Sequence, residues 1–78
     1  MASITTITNA WTAIGAATAA AEVWQCVAGI VEISAEAVPG ANDGIRLEAG
    51  RGVVVASGKV ISYRKVGDGA AVIRREAL

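Results

Sequence analysis

The chain has 78 residues, 54% of them apolar, and seven basic and seven acidic side chains leave it with no net charge. One domain is the ceiling at that length, and a chain this short buries only about 60% of the surface its unfolded form exposes. With no histidine and a single cysteine, Cys26, an intrachain disulfide and Ser-His or Cys-His nucleophile pairs are excluded, and the usual zinc sites are argued against.

From the N-terminus, residues 4–8 (ITTIT) are β-branched throughout, which favours an extended strand over a helix. The next stretch, NAWTAIGAATAAAEVWQC at 9–26, is ambiguous. Alanine is the best helix former and votes helix for 16–22. Against it, Asn9 and Thr12 cap weakly, Gly15 interrupts, and a helix of six or seven residues is marginal. The stretch reads as extended chain and tight loop between two strands, with a single helical turn as the fallback.

From Glu22 the pattern is clearer. Residues 31–37 alternate apolar and polar, the mark of a half-buried strand. Upstream, Val23 to Ile30 is apolar on both faces, predicting burial on both sides, and Gly29 marks a bend or bulge. PGANDG at 39–44 is a strong turn signal. Residues 45–48 (IRLE) alternate, AGRG at 49–52 reads as a tight hairpin into 53–56 (VVVA), and Ser57-Gly58 is the next turn. KVISYRKV at 59–66 alternates again, GDG at 67–69 reads as a hairpin, and 70–76 (AAVIRRE) is the last strand. Six to seven short strands at this spacing predict an all-β domain, an antiparallel β-sandwich or barrel. The domain spans 1–78, with 1–21 an uncharged N-terminal arm or first strand and its connection.

The charges are split along the chain. Residues 1–44 carry only Glu22, Glu32, Glu36 and Asp43, while all seven basic residues lie in 45–78 with Glu48, Asp68 and Glu76. Such a split can be satisfied across paired strands or across a subunit interface, or both sets can be solvated surface charge. No signal peptide or membrane span is visible.

No catalytic site emerges. Cys26 lies in an apolar run without a basic neighbour and reads as an inert buried thiol. Glu32 and Glu36 on one strand face lie about 13 Å apart, too far for a glycosidase pair. The glycine-rich turns lack the order of a phosphate loop, and Asn42-Asp43 offers too few oxygens for calcium. The chain is therefore expected to be non-enzymatic, with no cofactor and no metal site. A basic patch of Tyr63, Arg64, Lys65 and Arg74 could form if the 67–69 hairpin pairs its flanking strands, as on an OB-like or SH3-like module that binds nucleic acid. Its small size and the neutral chain weigh against nucleic acid as a partner.

Assembly is the stronger theme. A small core without disulfides or metals draws support from partner subunits. Ile4, Ile7, Trp11 and Trp24 are the interface candidates, since buried tryptophans anchor many interfaces; the alternative is that both tryptophans fill the chain's own core.

Trp11-x-x-Ile14-Gly15, Gly29-x-Val31-x-Ile33 and Gly58-Lys59-Val60 followed by the glycine turn at 67–69 carry a likeness over nearly the whole chain. In that order the sequence resembles small β-rich structural proteins of tailed bacteriophages, departing from them in the alanines at 16–21. The resemblance implies a virion structural protein made in the bacterial host cytoplasm. It would assemble with itself, a trimer being favoured, and decorate a capsid or serve as a head-fibre or tail accessory beside major capsid or tail proteins.

Overall fold

The β-branched and alternating stretches become eight strands in the computed structural model of the protein, which describes residues 2–6, 8–36, 39–40 and 44–78. They are β1 Ala2–Thr6, β2 Thr12–Ala13, β3 Glu22–Ala28, β4 Ile30–Ser34, β5 Ile45–Glu48, β6 Gly52–Val55, β7 Ser62–Lys65 and β8 Ala71–Ala77. No helix is present among the described residues. Two four-stranded antiparallel sheets result, ordered β1-β8-β3-β6 and β2-β7-β4-β5. They pack face to face as a sandwich, and the barrel alternative is not what forms.

The two orders correspond strand for strand. Each strand of one sheet is joined along the chain to its counterpart in the other: β1 to β2, β8 to β7, β3 to β4, β6 to β5. The architecture is thus one four-stranded sheet of long arms, folded across its middle so that each arm gives half its length to each layer. The thinnest dimension, 17 Å, accommodates two layers about 10 Å apart.

This geometry corrects three expectations. Among the described residues the strands number eight, because the long stretch from Glu22 is divided at Gly29 and because Thr12–Ala13 adds a short strand. The AGRG turn is tight, with the Arg51 N–H donating to the Glu48 carbonyl at 2.9 Å, but it is no hairpin. It carries the chain from β5 in one sheet to β6 in the other. The GDG segment likewise passes from β7 to β8 between sheets. Among the described strands, only β4 and β5 pair directly across their own connection. Glycines at positive φ make these corners, with Gly50 at 91°, Gly67 at 83° and Gly69 at 80°, where a Cβ would be disfavoured.

Between β3 and β4 the corner also switches the inward-facing set. Trp24 and Cys26 point into the sandwich, then Val31 and Ile33 do. An even-numbered set gives way to an odd-numbered one because the register against β8 slips between Cys26 and Ala28. That slip is a β-bulge, one extra residue that shifts the alternation. The predicted burial on both faces of 23–30 does not occur: Val23 and Gln25 are half-buried and Val27 is exposed.

Trp24, Cys26, Val31, Ile33, Leu47, Val55, Ile61, Ala71 and Ile73 form the core, with Ile4, Ile14, Val53 and Tyr63 against it. The ambiguous 16–21 stretch is irregular chain pinned by Thr18, which is buried. Its N–H donates to the Lys59 carbonyl at 3.0 Å, and its carbonyl accepts from Gly58 at 2.7 Å. Its hydroxyl donates to the Ala56 carbonyl at 2.8 Å and accepts from the Lys59 N–H at 3.3 Å. With its only interior residue committed to the 56–59 turn, the segment has no helix to form, and Ala16, Ala17, Ala19 and Ala20 stay exposed.

Candidate functional site

The acidic half and the basic half meet across paired strands. In the first sheet, β3 lies beside β8 with Trp24 opposite Arg75. Arg75 donates from Nε to Glu22 Oε1 at 2.9 Å and from Nη2 to Oε2 at 3.1 Å, a bidentate pair. Its guanidinium carbon sits 4.8 Å from the centroid of the Trp24 ring. Trp24 Nε1 donates to the same carboxylate at 3.0 Å, so the buried indole has its polar edge satisfied at the rim of the core.

The second sheet repeats the arrangement on its outer face. Arg64 on β7 stacks over Trp11, 4.4 Å from the ring centroid. It donates from Nε to Glu32 Oε1 at 2.7 Å, and β4 carries Glu32 directly opposite it. Trp11 reaches as far as Gly44, where a Cβ would come within 2.6 Å of the ring. Gly44 is therefore required by the close approach of the indole rather than by its backbone angle. Both Trp-Arg-Glu units tie neighbouring strands of one sheet to each other, since a cation over an indole and a charge-assisted hydrogen bond are each stabilising when partly desolvated.

The Arg75 guanidinium beside Glu22 holds that carboxyl below the usual glutamate range, aided by the indole N–H and opposed by burial. A depressed folded-state value contributes stability that is full above the unfolded pKa, about 4.3, and lost as pH falls through the folded one. Arg75→Ala is expected to destabilise the protein by about 2 kcal/mol at pH 7. It should also flatten the decline of stability on the acid side, which urea unfolding at a series of pH values below about 5 would measure. An acid limb unchanged in the variant would remove the pair from that role.

The expected site residues are scattered. Trp24 is fully buried in the chain's own core, which leaves it no surface for a partner, so the core-filling alternative holds for it. Ile4 packs half-buried on the same core. Trp11 is half-buried over Arg64, and Ile7 lies outside the described residues. Tyr63 points inward, its ring centroid 6.2 Å from that of Trp24. Arg64 points outward from the same strand, while Lys65 is buried and donates from Nζ to Asn9 Oδ1 at 3.1 Å and to the Gly67 carbonyl. Arg74 is exposed on the outer face of the other sheet. These four do not share one face, because the 67–69 segment crosses between sheets and leaves β7 and β8 unpaired with each other.

Burial pushes the Cys26 thiol above its ordinary pKa, and its Sγ lies 3.3 Å from the Gly29 carbonyl oxygen. The thiolate that nucleophilic chemistry needs is thereby disfavoured. Glu36 uses its backbone carbonyl to accept from the Ser62 hydroxyl at 2.6 Å. No cluster of metal-ligating side chains occurs among the described residues.

What is left available is an edge. β5 ends one sheet and β6 the other, and they are the two halves of one bent arm. Ile45 is 59% exposed and Val54 60%. An open groove of about 400 Å³ follows this arm, lined by Ile45, Arg46, Leu47, Glu48, Arg51 and Gly52. Sequence reasoning did not single out these residues. The alternation of IRLE marks a strand, but nothing local marks an edge strand. Comparison of the chain with family models, curated proteins and solved structures returned no match.

Proposed function

We propose that the protein is a non-enzymatic structural subunit that assembles with copies of itself, as a decorating, head-fibre or tail-accessory component of a tailed-phage virion. The observation that carries self-assembly is the β5–β6 arm, whose outer edge has no strand beside it among the described residues and which leaves Ile45 and Val54 in solvent. Exposed strand edges with apolar side chains are templates for pairing with another chain. The core adds to this reading. One tryptophan and eight smaller side chains fill it, and a small domain with that little apolar volume gains stability from partners. The partly buried ionisable groups Glu22 and Arg75, and Glu32 and Arg64, are engaged with one another, which fits a structural rather than a catalytic part. The virion assignment rests on the sequence likeness to phage structural proteins.

Native mass spectrometry of the purified protein tests the assembly. The expected result is a multiple of the 7.9 kDa chain mass, with two and three copies directly distinguishable. A monomer at every concentration, unfolding cooperatively, would dispose of self-assembly. Recovery of its peptides from purified particles of an encoding phage is the expected result for the virion assignment, and their absence there would remove it.

A further inference from the structure

We propose that the free edge of β5 pairs with the same edge of a second copy, antiparallel, about a two-fold axis through Leu47. This rests on the self-assembly reading above and specifies which surface performs it and in what register.

The position of β5 is the first argument. It ends the order β2-β7-β4-β5, with no strand beyond it among the described residues. The direction of its backbone groups is the second. The Val66 N–H donates to the Ile30 carbonyl at 2.9 Å, which turns the peptide groups of Ile30 towards the β7 side. Successive residues of a strand direct these groups to opposite sides, so Val31 and Ile33 face β5. Their partners there, Leu47 and Ile45, face back. The N–H and C=O groups of Arg46 and Glu48 consequently point out from the sheet. The Glu48 carbonyl also accepts the Arg51 N–H, which leaves it a second lone pair.

Charge supplies the register. Arg46 and Glu48 are both exposed and, two residues apart, lie on one face. An antiparallel pair centred on Leu47 sets Arg46 against Glu48 of the second copy and Glu48 against Arg46. Two opposite-charge cross-strand pairs form, joined by backbone hydrogen bonds at both positions. Moving the centre to Arg46 would face like charges, which is destabilising. An edge guarded against pairing carries charges of one sign, typically lysines. This edge carries a self-complementary pair instead. The other edge strands offer no such instruction, because β1, β2 and β6 have no charged residue. At Leu47 centring, the exposed Ile45 comes opposite Ala49 of the second copy and is covered.

A four-residue strand pair is a small interface, so a dissociation constant on the order of 10 μM is expected. Sedimentation velocity from about 1 to about 500 μM brackets it. Arg46→Glu and Glu48→Arg, each replacing two attractions by two repulsions through the two-fold, should each weaken dimerisation about tenfold or more. The double variant R46E/E48R should restore it to near the parent value. Both substitutions are at exposed positions, and circular dichroism checks the fold. An independent reading comes from amide exchange: Arg46 and Glu48 amides should be protected at high concentration and exposed at low. A self-assembled protein indifferent to both charge reversals, or a trimer by mass, would overturn the edge pairing while self-assembly stands. A double variant that stays as weak as the singles would overturn it too. A monomer throughout would overturn both.

Discussion

Trp24→Ala is expected to be the most destabilising single substitution in the protein, removing a large share of its stability. The side chain is fully buried at the centre of the folded-over sheet, and large-to-small replacement of an aromatic in a core costs about 3–5 kcal/mol. A domain of this size has about 4–12 kcal/mol in total. Cys26, Val31, Ala71 and Val55 in the same core cluster are small and offer little volume to refill the space. Two further losses accompany the cavity: Arg75 loses the ring it stacks on, and Glu22 loses the indole N–H. Urea unfolding followed by circular dichroism measures the effect. Trp24→Phe, which refills most of the volume without the N–H, should recover more than half of it. A Trp24→Ala protein as stable as the parent would show that the sandwich is not held by this residue.

Gly29→Ala is the second large effect, at about 2–4 kcal/mol destabilising. Gly29 has φ of 74°, a region that costs a residue with a side chain about 1 kcal/mol or more. The added Cβ would also meet the Ala71 Cβ at 3.0 Å and the Ala70 carbonyl at 3.1 Å. Both neighbours belong to the chain at the start of β8, so relief requires the sheet itself to shift. Gly15→Ala is the control. Nothing lies within 4 Å of a Cβ there, and it should be neutral or slightly stabilising. Thermal unfolding of the two variants separates a required corner from an incidental glycine. Equal melting temperatures would mean the corner at Gly29 tolerates a side chain.

Much of the strand content was readable because it is local. The alternation in IRLE and in KVISYRKV and the β-branched start of ITTIT mark extended chain within a few residues; residues 41–43 of the PGANDG turn and Ile7 lie outside the described residues. The charge split was also readable as a pairing problem, and the structure resolves it within the chain through Glu22–Arg75 and Glu32–Arg64. The glycine corners were not readable as such. GDG and AGRG look like hairpins because a tight reversal and a sheet-crossing corner use the same glycines at positive φ. The difference lies in which strands the flanking residues find, and those partners are distant in sequence: β8 pairs with β1 and β3, never with β7. The misplaced basic patch follows from that one point, since it needed β7 beside β8.

The interface candidates show the same division. Tryptophan at two positions signals burial, but not whether the burying surface is internal or supplied by a partner. Trp24 on β3 is internal because two layers close over it, while Trp11 lies on an outer face covered by Arg64. The edge residues Arg46 and Glu48 were visible as alternating charges and nothing more. By itself the sequence determined most of where the chain is extended and where it turns, because side-chain alternation and glycine placement act over a few residues, and it left the acidic and basic halves free to pair across strands, to pair across an interface or to stay solvated. Only the tertiary structure decided that the arms fold over into two layers, that Trp24 is core, and that β5 is an edge, because strand order is fixed by hydrogen bonds between segments that local pattern cannot relate.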